Sequence, residues 1–147
     1  MTMPRRPQLH HIAVTVTDLD ASTRWYQDVF GLATKTDIPH QGGLGRILTD
    51  EAGALIIVLH EHDTNDGKLF RETVAGLDHV GLRVPVRADL EAWQSHLESK
   101  GVERCAVADK PSTQSPIADE VYASVLVFRD LDNIQLELSC PKVAPDH

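Results

Sequence analysis

What most constrains this 147-residue chain is that one pattern of residues, weakly similar by identity, recurs in it in the same order and phase. Residues 11–31, HIAVTVTDLDASTRWYQDVFG, lie over residues 79–101, HVGLRVPVRADLEAWQSHLESKG. Each stretch opens on a histidine, His11 or His79, then runs through alternating residues, a polar break, an amphipathic segment and a glycine. Trp25 follows His11 at the same distance as Trp93 follows His79. Self-similarity of this kind marks one supersecondary unit used more than once.

Each copy continues in the same way. After Gly31, strands are predicted at about 32–38, 44–50 and 53–60; after Gly101, at about 103–108, 122–129 and 133–139. Asp50-Glu51-Ala52-Gly53 and Asp130-Leu131-Asp132-Asn133 predict tight turns, because Asp, Asn and Gly accept the backbone angles that turns require. The unit is βαβββ, with residues 63–76 as linker and residues 110–120 as a longer loop in the second copy. Helical spacing predicts a buried stripe of Leu90, Trp93 and Leu97 in one helix and Ala21, Trp25 and Val29 in the other. Asp20 and Asp89 stand where an N-cap or first-turn acid is favoured.

Strand side chains alternate between two faces. Ile12, Val14 and Val16 share one face, and His11, Ala13 and Thr15 the other. Val80, Leu82 and Val84 oppose His79, Gly81 and Arg83. Ile134, Leu136 and Leu138 oppose Asn133, Gln135, Glu137 and Ser139. Three strands therefore pair an apolar face with a polar one that holds a His, a His and a Glu. Two imidazoles and a carboxylate form a usual donor set for Fe, Mn, Ni or Zn with coordination positions left open. Taken singly, each of these residues is more often structural or solvated. Their equivalent placement in a duplicated unit makes them the candidate metal ligands.

Composition narrows the function classes. The net charge is −8 with basic residues scattered, which is not the stripe that nucleic acid requires. No apolar run approaches the roughly 20 residues needed to span a bilayer, and the segment MTMPRRPQLHH has no apolar signal core. Cys105 and Cys140 are far apart and read as ordinary reduced thiols. A cytoplasmic protein with no membrane or nucleic-acid partner is the expectation.

HHIAVTVTDLDASTRWYQDVFGL resembles the opening of the vicinal-oxygen-chelate family (glyoxalase, bleomycin resistance protein and extradiol dioxygenase type). GLDHVGLRV resembles the start of that family's second module, and VLVFRDLDNIQLELS its closing segment. The resemblance spans residues 8–140. It implies an α+β fold of two tandem βαβββ modules, about 8–62 and 77–140, whose sheets form a barrel-like metal-binding cleft. Residues 1–7 and 141–147 are expected to be flexible termini. It implies a divalent metal on His11, His79 and Glu137, with Glu137 also catalytic, and a homodimer. In the closing segment Leu131 and Asn133 stand where the family has Pro and Gly, which a turn tolerates. Glyoxalase-I-type members carry a second glutamate in the last strand of the first module. Overlay of the two closing strands puts Ile57 there, which neither ligates a metal nor takes a proton. Glu61 and His62 lie one or two positions beyond the strand and could substitute only in part, since a charged, His-containing loop end is usually just solvated.

Arg83 is the candidate for holding an anionic substrate group, and Thr15, Gln135 and Ile57 are candidates for lining the pocket. His10 is expected on the face opposite His11, His40 in a loop, His60 toward the helix side or in the turn, and His96 in solvent. Two functions remain open: a metalloenzyme acting on a small oxygen-chelating substrate (lyase or isomerase, dioxygenase or transferase), and a bleomycin-resistance-like protein that sequesters a small molecule without chemistry. For the latter, Leu55, Ile57 and Leu59 supply an apolar lining.

Overall fold

The computed structural model describes residues 1–102 and 117–142, and the chain divides into two compact units, Met1–Gly67 and Lys68–His147. The predicted strand at 103–108, most of the 110–120 loop and Cys105 lie outside the described residues.

The first unit runs β1 (Ile12–Thr15), α1 (Leu19–Phe30), β2 (Ala33–His40), β3 (Gly43–Thr49) and β4 (Ile56–His62). Its sheet has the order β1-β4-β3-β2, with β1 parallel to β4 and the rest antiparallel. The second unit repeats this as β5 (Val80–Arg83), α2 (Arg87–Ser99), β6 (Ala118–Asp119), β7 (Ala123–Arg129) and β8 (Gln135–Pro141), in the order β5-β8-β7-β6. The fold is therefore α+β, and among the described residues it comprises two four-stranded sheets and two helices. The short β6 pairs with β7 at the end of what the sequence suggested was only a loop.

Helix α1 starts where Asp18, an extended N-cap, accepts a hydrogen bond from Ala21 N at 2.9 Å, satisfying one of the helix's orphan donors. Asp20 is the first-turn acid. The helix ends at Gly31, whose left-handed backbone (φ 67°) lets its N–H reach Gln27 O. In α2, Leu90 and Leu97 are buried as their spacing predicts. In α1 the buried stripe is Leu19, Ser22, Thr23, Tyr26 and Val29. Trp25 is only half-buried, edge-on to Tyr26, so the predicted stripe is rotated by about one residue. Trp93 is likewise half-buried and packs edge-on against His96, which is half-buried rather than free in solvent.

Strand alternation holds in β1, β5 and β8. Val14, Val80, Leu136 and Leu138 are buried, while Ala13, Thr15, His79, Gly81 and Arg83 are exposed and Gln135, Glu137 and Ser139 are half-exposed. Each sheet thus has one face turned to its own helix and one open face. The two turns correspond closely. Gly53 (φ 69°) and Asn133 (φ 68°) are both left-handed, which an Asn tolerates and a β-branched residue does not. Gly53 N donates to Asp50 O and Asn133 N to Asp130 O, both at 3.1 Å.

Candidate functional site

In the second unit the open face presents His79 and Glu137 together. His79 stands just before β5, and Glu137 pairs with Gly81 in the adjoining strand β8. The missing side chain at Gly81 leaves the space between them clear, since a Cβ there would meet nothing within 4 Å. His79 Nδ1 lies 2.6 Å from Asp78 Oδ1, so the ring donates its Nδ1–H to that carboxylate. Its other nitrogen, Nε2, then carries the lone pair and lies 3.8 Å from Glu137 Oε2. That gap is too long for a hydrogen bond. A divalent ion with bonds of about 2.0–2.2 Å holds two ligand atoms about 2.9–3.5 Å apart, so a shift of a few tenths of an ångström closes this pair onto one ion. A carboxylate behind a ligating imidazole fixes its tautomer and ring orientation. Asp78 is the residue that sequence reasoning missed. Its signal was adjacency to His79, which alone does not distinguish an orienting carboxylate from a solvated one.

Beside this pair the open face is closed by Arg129, whose side chain is 6% exposed. Its guanidinium pairs with both oxygens of Glu72 and donates to Gln135 Oε1 and Asn133 O. Gln135 is therefore engaged by Arg129. Arg83 is exposed on the face of His79.

In the first unit, His11 precedes β1 and is exposed, with its Nδ1 2.8 Å from that of His10. The two rings touch edge-to-face, so His10 does not point away from its neighbour as expected. Thr15 is exposed and pairs with His60 in the parallel ladder. His60 lies on this open face and not on the helix side. Its Nδ1 is 3.2 Å from His40 Nε2, and its ring stacks near that of His62. Burial first, then His40, His62 and His11, make protonation of His60 harder than that of an ordinary histidine. His40 is the last residue of β2, not part of a loop.

Ile57 and Leu59 face α1. They share the parity of Glu61, whose carboxylate accepts from Leu19 N at the helix start, and they are buried. Glu61 is thus committed to the helix, away from the open face. The ladders pair Ala13 with Val58 and Gly81 with Glu137, so Val58, not Ile57, is the counterpart of Glu137. The cause is one additional residue after the first turn. Asp50 N bonds Leu55 O, whereas Asp130 N bonds Ile134 O. The conclusion about chemistry is unchanged, because valine also offers neither lone pair nor proton. Among the described residues no three His, Cys, Asp or Glu side chains already stand as a metal-binding group, and no helix is long and apolar enough to cross a membrane.

Comparison with known proteins agrees with this architecture. The chain is 27% identical over 134 residues to the uncharacterized protein YaeR of Escherichia coli K12, covering 89% of this chain and 94% of that one. A glyoxylase/bleomycin resistance protein/dioxygenase domain from Frankia sp. EAN1pec superposes with a TM-score of 0.79 at 30% identity, over 97% of this chain and 96% of that one. The fosfomycin resistance protein FosX of Listeria monocytogenes, in a form complexed with Mn(II) and sulfate, shares the fold. Its TM-score is 0.59 at 17% identity, covering 92% of this chain and 93% of that one. The sequence profile of the Glyoxalase/Bleomycin resistance protein/Dioxygenase superfamily matches residues 8–138, and this chain belongs to that superfamily.

Proposed function

We propose that this chain is a divalent-metal-dependent enzyme acting on a small substrate that presents two oxygens to the ion, with His79, Glu137 and His11 as the protein ligands. The observation that carries the reading is the pair on the second unit's open face: His79 pinned through Nδ1 by Asp78, its Nε2 turned toward the Glu137 carboxylate. Such an ion supplies Lewis acidity, polarising a substrate oxygen as negative charge develops. The chain's own residues do the rest. Asp78 holds the His79 ring in one tautomer. Glu137, which pairs in the sheet with a glycine, is the carboxylate positioned to exchange a proton with a bound substrate. Arg83, exposed on the same face, holds an anionic substrate group, and Thr15 offers a hydroxyl from the first unit. FosX, complexed with Mn(II), makes manganese the first ion to try. A homodimer is the assembly proposed for the active protein.

The test is metal content after chelation and reloading with Mn, Fe, Ni or Zn, read on the untagged wild type and on His79→Ala and Glu137→Gln. Each substitution should lower affinity for the first-bound ion by at least about 10–100-fold, and Asp78→Asn should produce a smaller loss. Equal loading of the wild type and the His79→Ala protein would overturn the reading.

One observation favours sequestration as a second reading. A groove of about 610 Å³ in the first unit is lined by Ala33, Ile47, Thr49, Ile56 and His10, within the size range of small-molecule sites. A bound ligand recovered chemically unchanged, with no turnover in the presence of metal, would select it.

A further inference from the structure

Besides His11, the first unit's open face carries three histidines that sequence reasoning left scattered. His40 ends β2, and His60 and His62 close β4, two residues apart and so on the same face. The central strand β3 runs between them. His40 and His62 both pair with Gly43, and His60 pairs with Gly45. These two glycines do not have left-handed backbones, so turn geometry does not require them. Space does. A Cβ on Gly45 would come within 2.7 Å of the His60 ring, and one on Gly43 within 2.8 Å of His40 Cε1 and closer still to the Glu61 carbonyl. The three imidazoles therefore stand around a floor that only glycine permits.

We propose that His40, His60 and His62 form a second, independent site for a borderline divalent cation of the zinc, nickel or copper type. Three imidazoles on one tetrahedral ion, with bonds of about 2.0–2.1 Å, place their ring centroids about 5 Å apart. Here the centroids are 5.2 Å (His40–His60), 5.4 Å (His40–His62) and 6.0 Å (His60–His62) apart. The 3.2 Å between His60 Nδ1 and His40 Nε2 matches two ligand atoms of one ion as well as it matches a hydrogen bond. His40 is already oriented. Its Nδ1 lies 3.2 Å from Gln41 O, so it donates there and leaves the Nε2 lone pair facing His60. That is the backbone support a ligating imidazole uses. What the trio lacks is a nitrogen of His62 turned inward. As placed, the three side chains do not form a group that holds an ion; His62 is exposed, and binding requires its ring to turn a nitrogen inward. Imidazole donors suit zinc, nickel and copper better than magnesium or calcium.

The experiment uses the untagged full-length chain carrying His11→Ala, His79→Ala and Glu137→Gln. These changes remove the ligands of the proposed catalytic ion and break up the His10–His11 pair. Zinc alone, titrated calorimetrically into this protein, should bind at one ion per chain. Adding His62→Gln or His40→Gln should weaken it by at least about 10-fold. Adding Gly45→Ala, which retains every histidine but displaces the His60 ring, should weaken it comparably, with circular dichroism confirming that each variant is folded. No zinc uptake by the folded triple variant, or uptake indifferent to His40→Gln and Gly45→Ala, would overturn the proposal and show that the His40–His60 contact is a hydrogen bond only. Either outcome leaves the reading of His79 and Glu137 to its own test.

Discussion

The two units share a topology, a turn and a buried face, yet their open faces have different chemistry. Where the second places Glu137 the first places Val58, by strand register. Where the first sets His60 opposite Gly45, the second sets Ser139 opposite Val125, and at the far end of the same strand pair it has Arg129 locked to Glu72 and Gln135. Leu59 and Leu138 occupy the same register position against their own helices and are both almost wholly buried. The helix-facing side is held fixed by packing, because a core tolerates little change in volume. The open side answers only to what it binds, so it can diverge while the fold stays constant.

If packing sets this common frame, equivalent core residues should cost the same to remove. Leu59→Ala and Leu138→Ala are each expected to destabilise by about 2–5 kcal/mol, and denaturant melts should place the two variants within about 1 kcal/mol of each other, inside the spread usual at fixed chemistry. A large asymmetry would break the equivalence of the two helix-facing sides.

The second contrast lies in the arginines. Arg129 is 6% exposed and depends on Glu72, itself 17% exposed. Glu72→Ala strands a buried charge, and about 3 kcal/mol of stability should be lost. Arg46 in the first unit is shared between Asp37 and Asp20, the latter 74% exposed. Removing Asp20 leaves the guanidinium paired and hydrated, so Asp20→Ala should cost less than about 1 kcal/mol. Similar losses for the two variants in thermal melts would mean that Arg129 is better solvated than its burial implies.

Which of these features the sequence disclosed follows from what each depends on. The open-face placing of Glu137 was legible because strand alternation is a period of two and its neighbours Leu136 and Leu138 are buried, and that of His79 because the buried Val80 follows it. The paired turns were legible because Asp, Gly and Asn report backbone angles directly. The phase of α1 was not. Trp25 and Tyr26 are adjacent and both aromatic, and only packing against the sheet decides that Tyr26 is the one inside. The identity of Glu137's counterpart was lost to a single additional residue between Asp50 and Leu55, which reverses the parity of everything in β4. That reversal also hid the histidine trio, since it sent His60 to the wrong face.

The smallest expected difference between the units appears in acid. The Arg46 hydrogen bond holds the Asp37 carboxyl below its ordinary value of 3.8, and the Ser124 hydroxyl is the largest cause of the same for Asp119, with the charges of Arg87 and Lys142 adding to it. A carboxyl with a depressed folded-state pKa binds its proton less readily folded than unfolded. Its contribution to stability is therefore present above the ordinary value and lost as pH falls through the depressed one. Asp37→Asn and Asp119→Asn should accordingly lower the melting temperature slightly near pH 6, and both should converge on the wild type toward the acid end. Their causes differ, and salt should separate them: screening weakens an exposed ion pair more than a hydroxyl hydrogen bond. The Asp37→Asn difference at pH 6 should shrink in high salt while that of Asp119→Asn persists in larger part. Equal salt sensitivity would mean that Arg87, and not Ser124, governs Asp119, making the two carboxylates alike in kind.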